Sequence, residues 1–135
     1  MKIKETDVIL NFLEDSTTKF RRDSNVEIEF PAGSWSGNKS RSIADIHGHG
    51  IPGIEAKSNF KDSKKDFQNP EKNQNIKHYI YSSNEIKNDE INFWKKNGVS
   101  VAIFLTNENK WFTLDDENGF FSSVLRSETI AKEIV

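Results

Sequence analysis

The period of the hydrophobic positions changes several times along the chain, and each change marks an element boundary. Val8, Ile9, Phe12 and Leu13 recur at three- and four-residue spacing. That spacing predicts a helix over 5–20 with one apolar stripe turned to a core. Val26, Ile28 and Phe30 then alternate with Glu27 and Glu29, the two-residue period of a half-buried strand over 25–30. Residues 31–40, rich in Gly, Ser and Asn, read as a loop. Two further strands, 42–46 and 51–57, are expected to pair antiparallel across the tight turn His47-Gly48-His49-Gly50.

From 58 to 69 the composition turns polar and basic, the signature of a mobile loop. Pro70 suits the first turn of a helix, where its missing N–H costs nothing, and Ile76, Tyr79 and Ile80 give that helix an apolar face. Another helix over 84–97 carries Ile86, Phe93 and Trp94 and ends at Gly98. Residues 99–105 are a β-rich apolar run expected to be a buried strand, turned back by 107–109 into a strand over 111–114. Residues 127–135 are expected to close the chain as a short helix. Trp94 and Trp111 fall in periodic segments and are assigned to the core. The fold class expected is therefore α/β (α+β), with one central mixed sheet flanked by helices. At 135 residues, without repeats or linkers, 1–135 reads as a single domain.

Composition narrows the function. There is no cysteine, which excludes disulfides and thiolate metal sites and points to a reducing cytoplasm. No run approaches the roughly 18 apolar residues of a membrane span, and the apolar stretch 8–10 is too short for a signal peptide. The expectation is a cytoplasmic protein with no membrane partner. A net charge of −2 counts against a generally basic, DNA-gripping surface. Any basic surface must be local: Lys19, Arg21 and Arg22; Lys39 and Arg41; or Lys57, Lys61, Lys64, Lys65, Lys72 and Lys77. A solvated face accounts for any one of these clusters equally well.

The chemistry-bearing residues are Asp45, Glu55 and Lys57. Glu55 and Lys57 are two apart and share a strand face; the turn after Asp45 brings it toward both, among Ile43, Ile46, Ile51 and Ile54. Two carboxylates suit Mg²⁺, a hard cation that keeps several waters, with Mn²⁺ as a substitute. A lysine beside them can orient or deprotonate a water, or offset charge on a phosphoryl transition state. Its ammonium is also expected to keep the carboxylates ionised. From spacing alone, a cross-strand salt bridge on a solvated face accounts for the same residues.

The stretch from Asp45 to Ser58, with Glu55-Ala56-Lys57-Ser58 at its end, resembles the core motif of the PD-(D/E)xK nuclease superfamily. Within it the chain is most similar to small Holliday-junction resolvases of archaeal and phage type. Those proteins carry a helix with an early Glu, a strand, a Gly/Ser-rich loop, an Asp strand and a Glu-x-Lys-Ser strand. Glu5, the loop 31–37, Ala44-Asp45 and Glu55-Ala56-Lys57-Ser58 match that order over roughly residues 5 to 114, with Ala44 in place of the nominal Pro. Gln74 matches a Gln common on the following helix, and Glu14 competes with Glu5 for the early Glu. The resemblance implies a restriction-endonuclease-like fold and a homodimeric, Mg²⁺-dependent endonuclease that cuts branched DNA. Asp45 and Glu55 would bind metal, with Lys57, Glu5 and Gln74 completing the catalytic set.

Ser34, Ser36, Arg41, Ser58, Lys61, Lys64 and Lys65 are the candidate DNA contacts. Trp35 reads as a loop anchor, and His47 and His49 as polar turn residues, since two histidines without a third ligand make a weak metal site. No phosphate loop, dinucleotide fingerprint, zinc pattern or Ser-His-Asp set is present. Two rival readings remain: a restriction- or repair-type nuclease with the same site, and a non-catalytic DNA-binding or interaction protein on the same fold.

Overall fold

Alternation along three strands puts a hydrophobic layer on each side of one sheet. In β4 (His78–Ser83), Tyr79 and Tyr81 face one core and Ile80 the other. β5 (Ser100–Leu105) sends Val101, Ile103 and Leu105 to the first side and Ala102 and Phe104 to the second, while β6 (Lys110–Asp115) splits Phe112 and Leu114 from Trp111. Strands buried on both faces need helices on both. The computed structural model describes residues 3–28, 45–69, 78–115, 119–125 and 130–133, the last as backbone only.

Five strands form the sheet in the order β3-β4-β5-β6-β7, where β3 is Glu55–Ala56 and β7 is Ile130–Glu133. β3/β4, β4/β5 and β6/β7 are parallel and β5/β6 antiparallel, so the sheet is mixed, as expected. β1 (Glu27–Ile28) and β2 (Ile46–His47) pair antiparallel apart from it. α1 (Glu5–Asp15) and α5 (Phe120–Val124) cover one face through Val8, Ile9, Phe12, Phe121 and Val124. α3 (Phe60–Phe67) and α4 (Asn88–Asn97) cover the other through Phe60, Phe67, Phe93 and Trp94. Among the described residues no helix is long and apolar enough to cross a membrane.

Several elements differ from the sequence expectation. The first helix breaks at Ser16. Thr17 caps α2 (Thr18–Asp23) by accepting the Phe20 N–H, and Arg21 donates to the carbonyls of Leu13 and Ser16 at the end of α1. Residues 58–69 hold a helix, not a loop. The Asn59 side chain accepts the Asp62 N–H at 2.8 Å, Phe60 and Phe67 face inward, and the lysines that give the segment its loop-like composition lie on the outside. The helix expected from Pro70 is replaced, over its described part, by β4: Tyr79, Ile80 and Tyr81 are all fully buried, so a strand with both faces covered gives no alternating signal. Pro70, Gln74 and Ile76 lie outside the described residues. Over its described part, 130–133, the expected closing helix is instead β7, a strand at the sheet edge, and α5 has no counterpart in the sequence pattern.

The antiparallel pairing expected across residues 47–50 is seen in its described part, 45–57, as the bridge Ile46 to Ile54, with reciprocal hydrogen bonds of 3.0 and 2.9 Å; residues 42–44 lie outside the described residues. β3 joins β4 in parallel. The helix over 88–97 and its left-handed Gly98 cap, the strand over 100–105, and the burial of Trp94 and Trp111 match the sequence reading. Gly48 is required: a Cβ there would lie 2.4 Å from the Ser24 carbonyl oxygen, which itself accepts the His49 N–H.

If Asn59 nucleates α3 as its N-cap, Asn59→Ala lowers stability by about 1 kcal/mol while Asn59→Asp leaves it nearly unchanged. Urea denaturation measures this; equal midpoints for all three proteins would mean the cap contributes nothing.

Candidate active site

The candidate residues meet at the β3 edge of the sheet, where α1 from one face and α3 from the other both reach the end of the strand. Asp45 precedes β2 and is buried, 3% exposed. Its Oδ2 accepts the backbone N–H of Ala56 at 2.9 Å. That bond fixes the carboxylate beside the residue that separates Glu55 from Lys57, with the Ile46–Ile54 bridge holding the two segments together. The Lys57 N–H continues the parallel ladder by donating to the Ile80 carbonyl at 2.9 Å.

The Lys57 ammonium has three carboxylate neighbours: Asp66 Oδ1 at 3.4 Å, Glu55 Oε2 at 3.7 Å and Glu5 Oε1 at 3.8 Å. Glu5 comes from the first turn of α1 and Asp66 from the last turn of α3. Of the catalytic set expected from sequence, Asp45, Glu55, Lys57 and Glu5 are therefore brought together. Gln74 lies outside the described residues. Glu14 sits at the far end of α1, away from the cluster, so Glu5 is the helix glutamate that reaches it. Asp66 escapes the sequence reading because its segment has the composition of a loop. The signal available is Asn59 followed three residues later by Asp62, a helix start, with Phe60 and Phe67 one heptad apart.

One sequence expectation about charge fails. Lys57 is expected to keep the carboxylates ionised, yet the Glu55 pKa is pushed up to about 8. Burial is the largest cause, followed by the charges of Asp45 and Asp66; Lys57 pulls the other way and loses. Burial alone would lower the Lys57 pKa, but Asp66, Glu55, Glu5 and Asp45 outweigh it, and the amine is held above the ordinary lysine value. Tyr79 is raised by its own burial and by Asp66 beside it, and stays a phenol.

Asp45 and Glu55 supply hard oxygen donors of the kind Mg²⁺ accepts with water completing its shell, so the donor chemistry fits the expected cation. Among the described residues no three His, Asp or Glu side chains form a ready cage; Glu5, Glu55 and Asp66 are turned onto Lys57. Alongside lies an open cleft of about 270 Å³ lined by Glu5, Lys57, Ser58, Asp62, Lys65, Asp66 and Asn69.

Of the candidate DNA contacts, Ser58 and Lys65 line this cleft. Lys61 is exposed on α3, and Lys64 lies over the Phe93 ring at 5.1 Å, on the α4 side of the helix. Ser34, Ser36 and Arg41, with Trp35, lie outside the described residues. His47 places Nδ1 3.8 Å from Glu27 Oε2, and His49 is exposed in its turn.

Because Glu55 binds its proton more tightly folded (about 8) than at the ordinary 4.5, its contribution to stability is full below pH 4.5 and is lost as pH rises through 8. Glu55→Gln removes that loss. In metal-free buffer its Tm at pH 8.5 is expected to exceed wild type by several degrees, with little difference at pH 4.5; a variant less stable at both pH values would mean Glu55 is a stabilising ion-pair partner. Comparison of the chain with protein-family models, with curated proteins and with solved structures finds no match.

Proposed function

We propose that the chain is a metal-dependent DNA endonuclease of restriction-endonuclease-like fold that hydrolyses phosphodiester bonds, with branched DNA such as a Holliday junction as its substrate. The observation that carries this reading is the hydrogen bond from Ala56 N–H to Asp45 Oδ2 at 2.9 Å. It sets one carboxylate against the strand that presents Glu55 and Lys57, and those two pair at 3.7 Å on one side of it. This arrangement supports reading the motif that resembles PD-(D/E)xK nucleases as a site.

Asp45 and Glu55 would hold Mg²⁺ or Mn²⁺. Bound there, the ion supplies a Lewis acid for the phosphate and a more acidic water. The protein's own groups do the remainder. In hydrolysis a water oxygen adds to phosphorus, one bridging P–O bond breaks, and the leaving oxygen takes up a proton. Lys57, protonated and facing the cleft, orients the water and offsets charge gathering on the phosphoryl oxygens. Glu5 flanks the amine, and Ser58 and Lys65 stand where the DNA backbone would run. A homodimer would supply the two symmetric cuts that junction resolution needs. A restriction- or repair-type nuclease would use the same site on unbranched DNA.

One observation favours a non-catalytic reading: the carboxylates close onto Lys57, as a structural ion cluster would. Against it stands Glu55, whose pKa is raised rather than lowered by its surroundings. An ion pair kept for stability holds its carboxylate ionised.

Asp45→Asn and Lys57→Ala are each expected to cut Mg²⁺-dependent cleavage by about 10²–10³-fold or more while DNA affinity survives. The assay compares four-way junction, flapped and linear duplex DNA, with and without Mg²⁺. Variants that cleave at the wild-type rate would remove the site assignment, and equal cleavage of all three DNAs would remove the junction preference. Calorimetric titration of Mg²⁺ addresses the non-catalytic reading: binding lost in Asp45→Asn supports the nuclease, and no binding to wild type supports the rival.

A further inference from the structure

Asp66 makes the shortest of the three ion pairs to Lys57, and its carboxylate is used twice. Oδ1 faces the ammonium at 3.4 Å, while Oδ2 accepts a hydrogen bond from the Tyr79 hydroxyl at 3.0 Å. Tyr79 has no freedom of its own. It is fully buried, stacked on Trp94 with ring centres 5.6 Å apart and planes 23° from parallel, and set edge-on against Phe67 at 6.3 Å. Its position along β4 is fixed by register, since Tyr79 is the strand partner of Glu55. The residue that places Glu55 across the ladder therefore also aims the carboxylate that meets Lys57 from the other side.

Stability gives no reason for this arrangement. A buried carboxylate beside a buried phenol is costly to desolvate, and well-packed apolar residues in its place are often neutral or better. The three neighbours of Lys57 also differ in kind. Glu5 is 24% exposed at a helix start, and Glu55 is claimed by the cation in the nuclease reading; Asp66, with its side chain 7% exposed, is the buried anchor that remains. A lysine has a flexible four-carbon stem with considerable rotamer freedom to lose. An amine fixed beforehand need not lose that freedom as the reaction proceeds.

We propose that Asp66, clamped by Tyr79, is the positioning residue for Lys57: it holds the ammonium at the mouth of the cleft, where charge develops on the phosphoryl group. The role in cleavage rests on the nuclease reading; the clamp itself does not.

The test uses the full chain with Asp66→Asn, Tyr79→Phe, the double variant and Asp66→Glu. Three quantities are read: the single-turnover cleavage rate on the DNA that wild type cuts fastest, the Kd for that DNA, and the side-chain ammonium signal of Lys57 in ¹⁵N-lysine-labelled protein. Asp66→Asn, which keeps the shape and the bond from Tyr79, is expected to slow the cleavage step by about 100-fold with Kd within about threefold. Tyr79→Phe is expected to slow it by about 10-fold, and the double variant should match Asp66→Asn alone, because Tyr79 acts through Asp66. Asp66→Glu should recover part of the rate. The Lys57 signal should be sharp in wild type and lost in Asp66→Asn and in Tyr79→Phe.

Wild-type cleavage in Asp66→Asn, or effects of the two substitutions that multiply, would overturn the positioning role. Should wild type cleave no DNA, the nuclease reading fails, and the clamp is then judged on the ammonium signal: its loss in Asp66→Asn supports the clamp and its persistence refutes it. Should Tyr79→Phe fail to fold, the rate and the ammonium signal of Asp66→Asn decide the matter alone.

Discussion

Among the described residues, one ammonium, that of Lys57, faces four carboxylates at the β3 end of the sheet, and that imbalance shapes the site. Lys57 lies within 4 Å of Glu5, Glu55 and Asp66, and the charge of Asp45 reaches it as well. One positive charge cannot answer four negative ones in a partly dry place. Burial first, and then the charges of Asp45 and Asp66, push the Glu55 pKa up to about 8 despite an amine 3.7 Å away. Crowding buried carboxylates works against folding. A divalent cation at Asp45 and Glu55, as the proposed nuclease reading has it, would relieve the crowding.

The fold explains how the crowding arises. β3 is two residues long and pairs with β4, and Ile54 just before it is bridged to Ile46. Its end is reached from one face by the N-terminus of α1 and from the other by the C-terminus of α3, so residues 5 and 66 can meet at 57. Moving either helix by a turn would disperse the cluster. The two aromatic layers keep the helices in place: Phe12 packs edge-on against Trp111 and Phe121, and Phe60 and Phe67 against Trp94.

The core of the site is legible in the sequence and its surroundings are not. Asp45, Glu55 and Lys57 are close in the chain, and a tight turn with a two-residue spacing is enough to bring them together. Glu5 is found through resemblance alone; no local pattern links residue 5 to residue 57. Asp66 is hidden by composition, since Lys61, Lys64 and Lys65 make an amphipathic helix look like a basic loop. β4 reads as a helix for the opposite reason: a strand buried on both faces has no polar alternation to read, and Ile76, Tyr79 and Ile80 have the three- and four-residue spacing of a helix stripe. The pairing of β3 with β4 in parallel is likewise out of reach, because the turn at 47–50 advertises an antiparallel hairpin.

The central claim is that the cluster is built to take a divalent cation, and diffraction from crystals grown with Mn²⁺ tests it most directly. The expected result is an anomalous peak bonded to carboxylate oxygens of both Asp45 and Glu55, at about 2.0–2.2 Å. Crystals that diffract well at saturating Mn²⁺, with no peak at that place and all three acidic partners still closed on Lys57, would contradict it.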